Sequence, residues 1–266
     1  MKSEVYRELF KRLNKPEDIE KLDSEFAAPE AVLEAVLSQK IVAHTRKNFS
    51  SITSKTEELI KAWQQGNTIS EISEELGFMP VLIARELLKA MGLSKNEVRN
   101  KIRNPDSFED DRLKTEIKKA ISEDYIFSPR AHKYQDEKSH LGEKIIDRWL
   151  YRRGIIYMSD REYIRVNNIL TPDFLTSELE IMGFKINWIE SKALFGSFEE
   201  HRRYMKKQYS KYIRSFGTGA VVYWYDYDDK ILGEDKNLLV LDYTFFEESN
   251  VKKLFNLRLI KSITTH

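Results

Sequence analysis

Residues 169–194 read ILTPDFLTSELEIMGFKINWIESKAL, two apolar runs separated by Met182-Gly183. Apolar runs on either side of a glycine-containing dipeptide predict a β-hairpin. The turn would fold the strand that carries Asp173 back onto the strand that carries Glu190. Because side chains alternate along a strand, Glu190 and Lys192 would point to the same face. The hairpin therefore predicts two carboxylates and an amine beside an apolar core, either as solvated strand ends or as a metal site.

The acid-x-Lys tripeptide at Glu190 is distinguished by its context. Glu190 closes the apolar run INWIESKAL, where a charge is costly unless it is paired or coordinated. The Pro172-Asp173 pair upstream is a second feature of the pattern, independent of the tripeptide. The other four acid-x-Lys tripeptides lack this strand context and begin at Glu116, Asp136, Asp228 and Glu234.

Composition narrows the kind of metal. The chain has no cysteine, which excludes disulfides, thiolate zinc sites and cysteine nucleophiles, and its five histidines form no HExxH motif. Carboxylate chemistry with a hard cation remains, with Mg²⁺ as the natural ion and Mn²⁺ as a substitute. The predicted ligands are the carboxylates of Asp173 and Glu190 and the backbone carbonyl of Ser191. Because 44 Lys and Arg residues nearly balance 43 Asp and Glu residues, a nucleic-acid surface would need local clustering.

The chain divides by pattern into three regions. Residues 1–104 have helical apolar spacing, residues 105–138 are charge-rich and predict a linker, and residues 139–266 mix helix and strand. The predicted fold is an all-helical region followed by an α/β domain with a mixed central sheet, α+β or α/β in class. Three capping boxes mark helix starts in the first region and pair Ser54 with Glu57, Thr68 with Glu71, and Ser94 with Glu97.

Residues 68–93 have the layout of a helix-turn-helix. Gly77 supplies the positive φ that ends the first helix, and Pro80 stands in the first turn of the second. The second helix is either a DNA-recognition helix, with Arg85 and Lys89 as DNA contacts, or half of an ordinary helical hairpin. Its outward positions are only weakly basic and are predicted to be Met79, Leu82, Arg85, Glu86 and Lys89.

The region after residue 138 predicts a succession of helices and strands. Three acids between its last two strands are expected to be solvated in a hairpin turn, namely Asp226, Asp228 and Asp229. The predicted elements are a helix over 139–152, strands over 155–158, 163–170, 173–181 and 184–192, a helix over 197–215, and strands within GAVVYWYDY and NLLVLDYTFF.

Pro172-Asp173 followed by Glu190-Ser191-Lys192 resembles the PD-(D/E)xK nuclease superfamily. Thr171-Pro172-Asp173 also resembles the TPD-motif family, archaeal proteins related to a eukaryotic codanin-interacting nuclease and similar to Holliday junction resolvases. The resemblance implies a restriction-endonuclease-like core of helix, three antiparallel strands, helix and strand. It further implies a homodimer and hydrolysis of DNA phosphodiesters to 5′-phosphate and 3′-hydroxyl products.

The superfamily often carries a glutamate on the helix before the sheet. Glu143 borders the apolar stripe of the corresponding helix here, so it is the candidate for a ligand of metal-associated water, with simple solvent exposure as the alternative. Gly142 just before it would permit a close backbone approach.

The helix predicted after Lys192 carries a second motif. Gln208 and Tyr212 resemble the Gln-x-x-x-Tyr motif of some superfamily members, which would hold the substrate or the catalytic face in place; an ordinary amphipathic edge is the alternative. Arg202 and Lys206 belong to a basic run on this helix that could contact phosphates or form a solvated face.

These features predict a metal-dependent DNA endonuclease, with branched or junction DNA as a candidate substrate. Asp173 and Glu190 would bind Mg²⁺, and Lys192 would orient water and offset charge on the phosphate. The alternatives are a catalytically inactive DNA-binding or adaptor protein on a nuclease fold, and a transcription regulator with a small-molecule domain. The N-terminal helices would hold DNA or a protein partner. Without a signal peptide or membrane span in the sequence, a cytoplasmic protein is expected.

Overall fold

The structure is a computed structural model that describes residues 1–159 and 171–260. The strand predicted over 163–170 lies outside the described residues. The chain forms two compact units, of which the first comprises residues 1–39 and 136–257 and the second comprises residues 40–135 with the segment from Arg258.

The elements are numbered along the described residues. The strands are β1 (Tyr157–Ser159), β2 (Phe174–Ile181), β3 (Phe184–Lys192), β4 (Gly219–Tyr223) and β5 (Leu238–Asp242). The helices are α1 (Ser3–Arg12), α2 (Asp18–Phe26), α3 (Glu30–Thr53), α4 (Thr56–Gln64), α5 (Ile69–Leu76), α6 (Pro80–Ala90), α7 (Lys95–Arg103), α8 (Asp111–Glu123), α9 (Pro129–Arg152), α10 (Phe198–Tyr204), α11 (Ser210–Phe216) and α12 (Glu248–Phe255). None of these helices combines the length and apolarity that a bilayer span requires.

A mixed sheet is the centre of the first unit. Its described strands follow the order β1-β2-β3-β4-β5, antiparallel from β1 to β3 and parallel from β3 to β5. Met182 and Gly183 have φ of 51° and 81°, and two consecutive positive φ values give the tight turn that matches strand twist. The predicted hairpin and mixed sheet are therefore confirmed.

Helices cover both faces of this sheet. On one face, α9 approaches Ser191 and Trp224 through Gly142. On the other face, the Trp188 ring packs against Tyr209 and Tyr212, with centroid distances of 6.3 and 5.3 Å. A parallel pair such as β3 and β4 needs a crossover connection, which α10 and α11 supply.

A π-helical turn over Met205–Tyr209 separates α10 from α11. The helix predicted over 197–215 is present over residues 198–216, and the π-helical turn in its middle was not predicted. The i→i+5 hydrogen bonds of a π turn insert one residue without changing the apolar composition, so spacing alone does not reveal it.

The acidic segment after β4 is not a hairpin turn, because β4 and β5 are parallel. Asp226 accepts a hydrogen bond from the Met1 ammonium at 2.8 Å. Asp228 is only 4% exposed and accepts a hydrogen bond from the Ser3 hydroxyl. The expectation of solvated acids is therefore wrong for Asp226 and Asp228, whose carboxylates have hydrogen-bond donors within the fold, whereas Asp229 is exposed.

The second unit is helical and surrounds its own apolar core. Two predicted capping boxes are present, at Thr68 and Ser94. The third is absent, because α3 continues to Thr53 and the cap residue of α4 is Lys55. The core includes residues from α4 to α8, among them Leu59, Ile69, Ile72, Val81, Leu82, Ile83, Leu87, Leu88, Val98, Ile102, Leu113, Ile117 and Ala120.

The compact units do not follow the boundary predicted at residue 104, whereas the break between residues 135 and 136 lies close to the boundary predicted at 138. Helix α8 lies in the segment predicted as a linker, yet its Leu113, Ile117 and Ala120 are part of the helical core. The charged residues that indicated a linker are the solvent face of an amphipathic helix.

Candidate active site

The end of the β2–β3 hairpin brings together the acids predicted to bind metal. Phe174 pairs with Ile189, so Asp173 and Glu190, one step beyond, adjoin each other. The Asp173 amide donates to Glu190 Oε2 at 3.3 Å, and the Ser191 amide donates to Asp173 Oδ2 at 2.7 Å. The register of the hairpin thus places both carboxylates around one short stretch of backbone.

Lys192 lies on the same face of β3 as Glu190, as strand alternation predicts. Its ammonium donates a hydrogen bond to Glu190 Oε1 and forms an ion pair with it. Glu190 is 3% exposed. A carboxylate buried to this degree depends on its partner, since removing one member of a buried ion pair leaves an uncompensated charge.

Asp173 is the electrostatically strained member of the group. Burial and the neighbouring Glu190 carboxylate raise its pKa well above the ordinary value, and Glu143 contributes in the same direction. The Ser191 amide and Lys192 act in the opposite direction and do not offset the rise. The group therefore favours the gain of positive charge next to Asp173, whether a proton or a metal cation.

Glu143 shares a pocket with Asp173. This pocket has a volume of about 210 Å³ and opens beside α9 and β2. Asp147 also lines it, as do His140 and Lys144, none of which the sequence pattern singled out. Their spacing at i and i+4 on α9 is the signal that would have indicated a shared face. The full lining is His140, Glu143, Lys144, Asp147, Ser159, Asp173 and Phe174.

Gly142 permits α9 to approach the back of β3, as predicted. A Cβ at this position would lie 2.3 Å from Trp224 Nε1 and 3.0 Å from Ser191 Oγ. Trp224 Nε1 donates to Ser191 Oγ at 2.8 Å, and the Trp224 ring is fully buried. Because this ring is held by packing and by a hydrogen bond, it cannot yield easily to a new methyl group.

Gly142→Ala should lower the free energy of unfolding by about 1–3 kcal/mol, the usual cost of overpacking a core. Urea denaturation followed by circular dichroism measures the change. Arg148→Ala, at an exposed position of the same helix, is the matched control. Equal denaturation midpoints for the two variants would contradict the close approach of α9 to Trp224.

Of the two roles predicted for Tyr212, holding the substrate or holding the catalytic face in place, its surroundings favour the second. Its side chain is 1% exposed, and its hydroxyl donates to the Thr171 carbonyl at 2.8 Å. This bond holds the segment that leads into Asp173, so Tyr212 supports the site from within. Gln208 has a buried Oε1 with no hydrogen-bond partner among the described residues.

The basic residues predicted to contact phosphate lie in different settings. Arg202 and Lys206 are exposed on α10 and on the π turn. In the second unit, Arg85 donates to the Phe127 carbonyl at 3.4 Å, and burial lowers its pKa. Lys89 forms a 2.6 Å ion pair with Glu86.

The outward face predicted for α6 is wrong at Leu82 and Glu86, since both are buried within the helical unit. Contact of Arg85 and Lys89 with DNA stays a prediction. His201 is buried too: its Nδ1 lies 3.0 Å from the Tyr223 hydroxyl, and burial lowers its pKa to about 4.

The fold and the site define a mixed α/β protein with a carboxylate and lysine centre at the end of a β-hairpin. The family model described as "Protein of unknown function TPD sequence-motif" matches residues 109–244, which is more than half of the chain. The chain therefore belongs to the TPD sequence-motif family, and the family predicted from Thr171-Pro172-Asp173 is confirmed.

Curated relatives share sequence over most of the chain. It is similar to CDAN1-interacting nuclease 1 of Bos taurus, 25% identical over 232 residues that cover 79% of this chain and 82% of the relative. The protein of the same name from Homo sapiens is 24% identical over 231 residues, with the same coverage. That from Xenopus laevis is 27% identical over 182 residues, 65% of this chain and 60% of the relative. No solved structure gave a significant match.

Proposed function

We propose that this protein is a Mg²⁺-dependent DNA endonuclease of the PD-(D/E)xK type. The observation that carries the proposal is the convergence of Asp173, Glu190 and Lys192 at the end of the β2–β3 hairpin. The relatives from Bos taurus and Homo sapiens, which carry "nuclease" in their names, support the same activity. The chemistry of the three side chains is that of phosphodiester hydrolysis assisted by a hard cation.

The donor set fits a hard divalent cation. Asp173 and Glu190 offer carboxylate oxygens, and the pKa of Asp173 is raised partly by repulsion from Glu190, which a cation would relieve. Across residues 1–159 and 171–260, no three His, Asp or Glu side chains form a metal-binding group. The proposed ligands are the two carboxylates and the Ser191 carbonyl, with water and substrate completing the set. When bound, Mg²⁺ would polarise the phosphate and acidify water.

The residues around the two acids have distinct proposed tasks. Lys192, beside Glu190, orients the attacking water and offsets negative charge on the phosphate in the transition state. Glu143 lines the pocket that Asp173 enters and holds water there. Arg202 and Lys206 contact the DNA backbone as exposed cations on α10 and the π turn.

A protein partner is the second part of the proposal. The curated relatives are named as CDAN1-interacting, and we propose that this chain also binds a protein through its N-terminal helices. Branched or junction DNA as substrate and a homodimeric assembly follow from the resemblance to junction resolvases. An inactive adaptor would keep the protein partner and lack the cleavage.

Cleavage assays decide between nuclease and adaptor. Purified protein with Mg²⁺ or Mn²⁺ should cut at least one member of a panel of duplex, single-stranded, flap and four-way-junction DNAs, and EDTA should stop the reaction. Asp173→Ala, purified identically, should lose this activity. Activity that persists in this variant would refute the site assignment, and the absence of cleavage on every substrate would favour the adaptor.

A further inference from the structure

The Tyr204 ring lies against the Lys192 ammonium. Lys192 Nζ is 4.8 Å from the ring centroid, within the range of a cation–π interaction. The ring is also stacked on Tyr209, at a centroid distance of 5.8 Å and an angle of 25°. Tyr204 therefore contacts both a buried aromatic ring and the lysine of the candidate site. The Arg203 guanidinium also lies over this ring, at 4.5 Å from the centroid.

The π turn explains how these two tyrosines come to stack. Residues five apart on a regular α-helix point about 140° away from each other. In the turn over Met205–Tyr209, i→i+5 hydrogen bonding brings positions five apart onto nearly the same side. The inserted residue thus turns Tyr204 onto Tyr209, and π turns of this kind are frequent at functional sites.

The Tyr209 ring, on which Tyr204 stacks, is held rigidly. Tyr209 is fully buried, and its hydroxyl lies 3.3 Å from the Tyr223 hydroxyl. The Tyr223 hydroxyl lies in turn 3.0 Å from His201 Nδ1. These contacts hold the Tyr209 ring in place, so Tyr204 stacks on a ring that is fixed by the core.

We propose that Tyr204 is a positioning residue for Lys192, acting through its ring and not through its hydroxyl. The proposal rests on the nuclease activity proposed above. A lysine side chain has a flexible stem and three ammonium donors, of which one is given to Glu190. The Tyr204 ring limits the rotation of the Lys192 stem. A second N–H donor of the ammonium is thereby directed at the water and the phosphate.

Kinetics separate the ring from the hydroxyl. Tyr204→Phe keeps the ring and should cleave with a kcat close to that of the wild type. Tyr204→Leu should lower kcat about 10-fold, the scale of a partly buried cation–π contact, and change KM by less than about 2-fold. Phe108→Leu is the control, because it removes a comparable cation–π contact that is remote in sequence from the site: Lys101 Nζ lies 4.7 Å from the Phe108 ring centroid. This variant should leave kcat unchanged.

An NMR experiment reports the contact without cleavage. In protein labelled with ¹³C-lysine, the Lys192 ε-protons should be shifted upfield by the ring in the wild type and in Tyr204→Phe, but not in Tyr204→Leu; Lys192→Met assigns the signal. A Leu variant with lost ring shift but normal kcat would overturn the proposal, as would a wild type without the shift. If the wild type cuts no nucleic acid, the nuclease proposal fails while the shift still tests the contact.

Discussion

Asp173→Asn should strongly reduce cleavage and, in EDTA, make the protein more stable than the wild type. Asparagine has nearly the shape of aspartate and can still accept the hydrogen bond from the Ser191 amide. It lacks the charge that would hold a cation, so the cleavage rate should fall by about 10³-fold. It also removes the repulsion between Asp173 and Glu190 that raises the pKa of the aspartate.

The sign of the stability change follows from proton linkage. Because the pKa of Asp173 is higher in the folded protein than in the unfolded chain, ionisation of this group destabilises the metal-free fold as the pH rises. Asparagine should thus stabilise the metal-free protein by about 1 kcal/mol at neutral pH. This effect should fade as the pH falls towards the pKa that Asp173 has in the unfolded chain. Urea denaturation at several pH values measures it.

Addition of Mg²⁺ should reverse the order of stability. A cation that binds only the folded wild type raises its free energy of unfolding with increasing metal concentration, whereas Asp173→Asn should respond little. Asp229→Asn, an exposed acid outside the hairpin, is the matched control and should respond as the wild type does. An Asp173→Asn variant that is less stable than the wild type in EDTA would contradict the described strain at this site.

The hairpin and its chemistry were predictable because they depend on local rules. Strand alternation placed Glu190 and Lys192 on one face, and the Met182-Gly183 turn gave the hairpin. The alignment of Asp173 with Glu190 did not follow from the turn, because the pairing of β2 with β3 shifts register between Leu175 and Leu179. The cost of a charge in an apolar run marked Glu190 as paired, and the structure pairs it with Lys192. These inferences required no knowledge of the neighbouring helices.

The features that escaped prediction depend on contacts between distant segments. The apolar spacing of the helix after β3 does not reveal a π turn, so the stacking of Tyr204 on Tyr209 could not be foreseen. The motif position of Tyr212 left open whether it holds the substrate or the catalytic face, and its burial against Trp188 depends on the crossover from β3 to β4. Charge patterning likewise could not distinguish a linker from α8, whose apolar face fills the helical core.

Lys192→Met tests whether the buried Glu190 carboxylate depends on its ion pair with Lys192. Methionine approximates the lysine stem and removes the ammonium, leaving the buried Glu190 without this ion-pair partner. Breaking a buried pair in this way should lower the free energy of unfolding by about 3–5 kcal/mol. Replacing both members, as in Glu190→Gln with Lys192→Met, should recover much of that stability, because no unpaired charge then remains.

Cleavage and stability should therefore separate in this series. The double variant should be folded and inactive, which excludes misfolding as the cause of lost activity. Arg152→Met is the matched control, because Arg152 and Glu247 form an exposed ion pair, with side chains 55% and 63% exposed, whose loss should cost less than about 1 kcal/mol. Urea denaturation in EDTA compares the stability of the wild type, Lys192→Met, the double variant and Arg152→Met. If Lys192→Met were as stable as Arg152→Met, Glu190 would not depend on Lys192, and the lysine would be available to the substrate at no cost to the fold.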